Sequence, residues 1–207
     1  MTALYLYPVW VRLWHWGNAL LFVVLIASGV SLHYAGAQPW LVPFDTAVMV
    51  HNAAGISLTL AWLGFIAGNL LTGNGRHYRI RWRGLIRRTL AQTRYYVYGI
   101  FRAEPHPFHA SETSKFNTLQ QLSYLGAMYG LMPLLILSGW GFLFSFSLPE
   151  TLFGLGSLWV VATTHVVVSY LLVLFVVIHL YVITTGASVF ANLRAMVSGW
   201  HREPDRS

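Results

Sequence analysis

Nine histidines mark a chain of 207 residues that has no cysteine. Four of them, His15, His51, His165 and His179, fall inside long apolar stretches. A titratable side chain at membrane depth is a functional candidate by default, because hydrocarbon offers it no water. His165 and His179 are 14 residues apart. On a helix that spacing is about 21 Å of rise and comes within about 40° of four whole turns. Both rings therefore leave one face of one helix, at two depths. His15 lies near the start of the first stretch. His51 lies near the start of the second, which runs back the other way. Depth thus pairs His15 with His179 at one level and His51 with His165 at the other. Two neutral imidazoles facing each other are the axial ligands of a low-spin b-type haem. Two levels make two haems.

Competing metal chemistry fits less well. A structural zinc site wants about four ligands, and each level offers two histidines. The six acidic residues, Asp45, Glu104, Glu112, Glu150, Glu203 and Asp205, lie in loops, tails or span edges. That disfavours a carboxylate metal site, a buried carboxylate proton relay and an ion transporter. Without cysteine there are no disulfides, thiolate sites, Fe–S clusters or covalently attached haem.

The elements that must hold these histidines are transmembrane helices. Hydrophobic residues make up 56% of the chain and charged residues 9%, far from the balance of a soluble domain. Four spans are expected, at about residues 11–34, 46–71, 118–146 and 158–190, each long enough for a ~30 Å hydrocarbon core. The fold class is all-α, an integral membrane four-helix bundle forming one domain over residues 1–207. The first apolar segment lacks a basic leader and is read as a retained span, not a signal peptide. Nine of the thirteen basic residues lie between Arg76 and Lys115, and three more are Arg194, Arg202 and Arg206. The loops at 35–45 and 147–157 have no Lys or Arg. This asymmetry puts both termini and the long loop in the cytoplasm. It also explains the net charge of +7 without nucleic acid. Residues 79–98 mix arginines with Trp82, Leu85, Ile86 and Leu90, the pattern of an interfacial amphipathic helix on anionic headgroups. Trp10, Trp14, Trp16, Trp40, Trp82 and Trp200 suit an aromatic belt. There is no internal repeat.

Several residues near these sites carry two readings. Arg12, one turn before His15, suits a haem propionate or a snorkelling anchor. His33 is read as interfacial, while His77, His106 and His109 are read as non-ligands, the last two solvated. Gly17, Gly55, Gly126, Gly130, Gly139 and Gly141 would let a flat macrocycle approach a backbone, or simply pack helices.

The R-L-W-H-W run at 12–16, V-H-N at 50–52 and the His165/His179 pair resemble the bacterial di-haem cytochrome b561 family over the whole chain. That family includes the b-type subunits of formate dehydrogenase, nickel–iron hydrogenase and thiosulfate reductase, the last type being the nearest. The resemblance implies the same histidine pairing. It also covers Lys115-Phe116-Asn117-Thr118-Leu119-Gln120, which is similar to a K-Y-N-x-x-Q segment where the Asn lies in a quinone site. By resemblance, Asn117, Gln120 and Lys115 are expected to contact a menaquinone or ubiquinone. Asn117 also suits a plain helix cap.

The expected function is electron transfer between a partner on the periplasmic side and a quinone on the cytoplasmic side. The resemblance implies an Fe–S subunit or multihaem cytochrome c as partner, together with its catalytic subunit. Two alternatives stand beside it. One is a free-standing membrane oxidoreductase, such as a superoxide oxidase or ferric reductase. The other is a haem-free anchor or transporter.

Overall fold

The structure is a computed structural model and describes residues 2–35, 41–108, 110–111, 114–186 and 188–203. Four helical stretches are long and apolar enough to cross a bilayer: Val9–His33, Phe44–Leu71, Thr118–Leu143 and Ser157–Ile183. In hydrocarbon each backbone N–H and C=O must be bonded within its own segment, which makes helix the only open choice for a single span. The first is α1 (Val9–His33) and the second α2 (Phe44–Leu71). The third is built from α4 (Thr118–Leu125) and α5 (Met132–Leu143), joined by a π-helical turn at Gly126–Leu131. The fourth is α6 (Ser157–Ile183). Between the second and third spans lies α3 (Leu85–Val97), and α7 (Ala191–Ser198) follows the fourth.

Local chemistry sets the ends. Pro8 and Pro43 stand immediately before α1 and α2, where a locked φ and a missing N–H cost nothing. The Pro43 carbonyl accepts from Ala47 N at 2.8 Å, opening the α2 ladder, and Asp45 sits favourably in its first turn. Pro133, near the start of α5, cannot donate to the carbonyl of Tyr129 and its ring crowds that carbonyl. The π turn widens the helix at that point. The fourth span was expected to reach residue 190 but ends at Ile183. Beyond it the Thr184 and Thr185 amides bond back three residues, to Tyr181 and Val182, and their hydroxyls bond the same carbonyls. That tightening ends the helix.

The chain forms two compact units, residues 9–67 with 131–177, and residues 1–8 with 68–130 and 178–207. The first is a bundle of four spans with an inverted polarity. Exposed residues include Leu13, Leu20, Val23, Leu60, Leu137 and Leu174. Buried ones on α1 are Asn18, Ser28 and Ser31. Polar side chains face in and leucines face out, as lipid demands. Contacts inside this unit run Trp14 Nε1 to the Ala61 carbonyl at 2.8 Å and Trp140 Nε1 to Thr59 Oγ1 at 3.2 Å. Trp14 also stacks on Phe65 with ring centres 4.4 Å apart. Trp14 therefore points inward and is not a belt residue, whereas Trp16, Trp82 and Trp200 are exposed. Trp40 lies outside the described residues. The loop before α6 is a small hairpin, β2 (Thr151–Leu152) against β3 (Leu155–Gly156). Phe153 and Gly154 at its tip both take positive φ, at 53° and 78°, the geometry of a tight two-residue hairpin turn.

The second unit holds the polar connections. Its first strand, β1 (Thr2–Tyr5), pairs antiparallel with β4 (Trp200–Glu203), from Thr2 opposite Glu203 to Tyr5 opposite Trp200. Gly199 makes the join possible. It takes φ 89° after α7, and a Cβ there would lie 2.6 Å from the Tyr5 ring and 2.9 Å from the Tyr7 carbonyl. Its own carbonyl accepts from Leu6 N and Tyr7 N. The expected interfacial helix is α3, shorter than the 79–98 segment. Trp82, Ile86, Leu90 and Val97 are exposed on it and just before it, and its buried residue is Gln92. Such a helix buries its polar side against protein and shows its apolar side outward, as one lying on a membrane surface does.

Candidate cofactor site

Polar side chains in the four-span unit converge on two imidazoles. His51, on α2, and His165, on α6, have ring centres 6.3 Å apart with planes at 71°. Each is held from a neighbouring span. Ser28 Oγ on α1 lies 2.9 Å from His51 Nδ1. Ser138 Oγ on α5 lies 3.0 Å from His165 Nδ1. Beside each serine is a glycine. A Cβ on Gly29 would lie 3.4 Å from His51 Cε1, and one on Gly139 would lie 3.5 Å from His165 Cε1. Each ring thus packs close beside a glycine of the neighbouring helix, where an added Cβ would meet it in ordinary van der Waals contact. Phe142 meets the His165 ring edge-on with centres 5.6 Å apart.

This geometry tests the haem expectation. Two imidazoles binding one ion from opposite sides, each with a nitrogen about 2 Å from it, have ring centres about 6 Å apart. His51 and His165 are at that separation. Among the described residues no group of three or more His, Cys, Asp or Glu could hold a metal ion. A bare cation would lack donors here, but a macrocycle that brings four nitrogens of its own needs only an axial pair. The residues present therefore fit a haem.

The other two expected ligands fall in different units and are described separately. His15, on α1, meets Trp16 edge-on with ring centres 5.2 Å apart. Arg12 lies one turn before it on the same helix and is half-buried. His179, on α6, belongs to the second unit, where the Tyr124 ring centre is 6.3 Å away. His33 is exposed and lies edge-on to Tyr34 and Tyr170.

The start of α4 carries the residues expected near a quinone. Asn117 is its N-cap. Its Oδ1 accepts from Gln120 N at 2.8 Å, and Gln120 Oε1 accepts from Asn117 N at 3.1 Å. The two form a complete capping box. Asn117 Nδ2 donates to Tyr96 Oη at 3.0 Å. The side chain is 2% exposed, so both ends of this carboxamide are engaged inside the protein. Lys115 stands at the head of a chain of donors. Its Nζ donates to Asn74 Oδ1 at 3.1 Å, Asn74 Nδ2 to Asn69 Oδ1 at 2.7 Å, and Asn69 Nδ2 to Tyr129 Oη at 3.1 Å. Burial, and then the Arg76 charge, push Lys115 down to about 8. His77, buried alongside, is pushed down to about 4 by burial and by the charges of Lys115 and Arg76.

Sequence reading overlooked Ser28 and Ser138. It also took His106 as solvated, but His106 is half-buried, packs on Tyr95 with ring centres 4.7 Å apart and bonds the Phe108 carbonyl at 2.6 Å. His109 and Glu112 lie outside the described residues. The signal for the serines was available. Ser28 lies 13 residues beyond His15, about 20 Å along the helix. That is the depth of His51, and both serines precede a glycine.

A family model described as prokaryotic cytochrome b561 matches residues 6–199 of the chain. A protein of Escherichia coli (strain K12) bearing the name "Putative cytochrome YdhU" is 44% identical over 199 residues, covering 96% of this chain and 75% of its own length. No solved structure matches the chain.

Proposed function

Because the chain belongs to the prokaryotic cytochrome b561 family, we propose that it is the membrane subunit that carries electrons between an outer-side redox partner and the quinone pool. It is a multi-pass bacterial membrane cytochrome, and its family implies b-type haem and electron transfer. In the proposed arrangement His51 and His165 hold an outer haem. His15 and His179 hold an inner haem, with Arg12 beside a propionate. The partner is an Fe–S subunit or multihaem cytochrome c with its own catalytic subunit. When bound, haem supplies reversible one-electron chemistry. These four histidines would each offer an imidazole nitrogen to hold the group, and the chain's own residues would exclude water from the span interior and set the two depths. The observation that supports this most is the 6.3 Å separation of the His51 and His165 rings, with each ring held from behind by a serine.

The quinone is placed by Lys115 in this reading. Lys115 offers an ammonium proton at near-neutral pH, close to water, where a quinone carbonyl needs donors. Gln120 and Asn117 flank it. A quinone contact through Asn117 Nδ2 would have to replace its bond to Tyr96. Both ends of the chain and α3 lie on the cytoplasmic face in this proposal, with α3 resting on anionic lipid.

The test is the purified protein in detergent. A reduced-minus-oxidised spectrum with b-type bands, two haems per chain and reduction by a quinol analogue are expected. A spectrum without b-type bands would overturn the reading. One haem per chain would remove the inner site.

A further inference from the structure

The outer imidazoles are held by a repeated device. On α1 and again on α5, a Ser-Gly pair sits against a histidine of the span that follows. Ser28 and Ser138 are both buried, at 2% and 6% exposure. A hydroxyl left without a partner in an apolar interior is costly, so each serine proton must have an acceptor. Ser28 Oγ lies 2.7 Å from the Val24 carbonyl, and Ser138 Oγ lies 2.7 Å from the Leu134 carbonyl. A carbonyl can only accept. Each hydroxyl has one proton, and these short contacts commit it to the carbonyl one turn back. The serine oxygen then has only lone pairs to offer the imidazole. His51 Nδ1 and His165 Nδ1 must therefore be the donors. Were Nδ1 the acceptor instead, the serine oxygen and the carbonyl would face each other as two acceptors with no proton between them.

We propose that Ser28 and Ser138 are positioning residues for the outer haem, each accepting the Nδ1–H of its histidine and so holding the imidazole in the tautomer whose Nε2 lone pair is free for iron. Gly29 and Gly139 stand beside the two serines, where a Cβ would just touch the imidazole Cε1, at 3.4 and 3.5 Å. This rests on the outer-haem reading above. A hydrogen bond from Nδ1–H to an acceptor also strengthens the ring as a donor to the metal, which favours the ferric state and lowers the reduction potential of that haem.

The experiment compares Ser28→Ala, Ser138→Ala, the double variant, and Ser28→Thr with Ser138→Thr, all as full-length protein. The alanine variants should weaken retention of the outer haem by about 10–100-fold, the usual scale for loss of such an outer-shell partner. Where haem is retained, the outer potential should rise while the inner potential stays in place. Threonine keeps the hydroxyl and its bond to the carbonyl one turn back, and should restore both readouts. A purely structural role for the serines would not move one potential selectively, nor be rescued so. Alanine variants with the outer haem and its potential unchanged would overturn the proposal. If an alanine variant loses both haems, the haem-free wild type decides through the ring-nitrogen signals of ¹⁵N-histidine. Protonated Nδ1 at His51 and His165 upholds the proposal, and protonated Nε2 overturns it. A wild type that binds no haem would sink the function proposed above. A wild type that binds two haems, with inert serine variants, would sink only this inference.

Discussion

Replacing His51 or His165 with alanine removes one axial nitrogen from a pair whose rings stand 6.3 Å apart. Each variant should retain one haem of two, measured as haem per chain. His15→Ala and His179→Ala should lose the other. Loss of both haems from every single variant, in chains that still fold, would contradict two independent sites. Lys115 gives a prediction in pH. Its pKa falls to about 8 from an ordinary value of 10.5, so the folded chain releases this proton before the unfolded chain does. Burying the charged form opposes folding below about pH 8, and stability should rise as pH climbs from there toward 10.5, as thermal unfolding would record. Quinol-linked turnover that draws on the charged form should move the other way, falling as pH rises through about 8. Lys115→Gln should flatten that fall. A turnover profile with the same fall in the variant would take Lys115 out of the quinone chemistry.

At the scale of elements, α4 separates two roles for Asn117. Asn117→Ala removes the cap and should cost about 1 kcal/mol of stability. Asn117→Ser keeps an oxygen for Gln120 N, so stability should recover, while the bond to Tyr96 is lost. If quinone contacts the carboxamide, turnover stays low in both variants with the haem spectrum intact. Turnover that recovers with serine marks a cap and nothing more. The same scale shows what was legible beforehand. The four spans were readable because hydrocarbon imposes length and apolar composition on them, and their starts fell within two residues of the expected ones. The end of α6 was not, because Thr184 and Thr185 read as ordinary span residues until their backbone bonds shorten. The π turn before Pro133 was hidden because one residue with no N–H does not reveal which neighbours will adjust. Among site residues, histidines are rare enough in lipid to announce themselves. A serine in a transmembrane helix is usually content with the carbonyl one turn back, so Ser28 and Ser138 were legible only through their depth and the glycine that follows each, not through their residue type. The strands β1 and β4 are four residues each and lie nearly two hundred residues apart in sequence. Nothing local predicts that they pair.

On the scale of the whole molecule, Thr2–Tyr5 pairs with Trp200–Glu203, so the two ends of the described chain lie side by side. In the proposed topology both face the cytoplasm, the side that positive charge in the 76–115 segment favours. A fluorescent protein fused to either end should fold and glow in living cells, and a periplasm-dependent reporter at either end should stay dark. Opposite results at the two ends would be incompatible with the ribbon. The ribbon also bears on how the molecule is made. Strand β1 leaves the ribosome nearly two hundred residues ahead of its partner. At roughly 5–20 residues per second, β1 waits on the order of ten to forty seconds, while every span is threaded into the bilayer, before β4 exists to receive it. The clasp can therefore only record that insertion has succeeded, and an unclasped β1 would be the natural mark by which a half-built chain differs from a finished one.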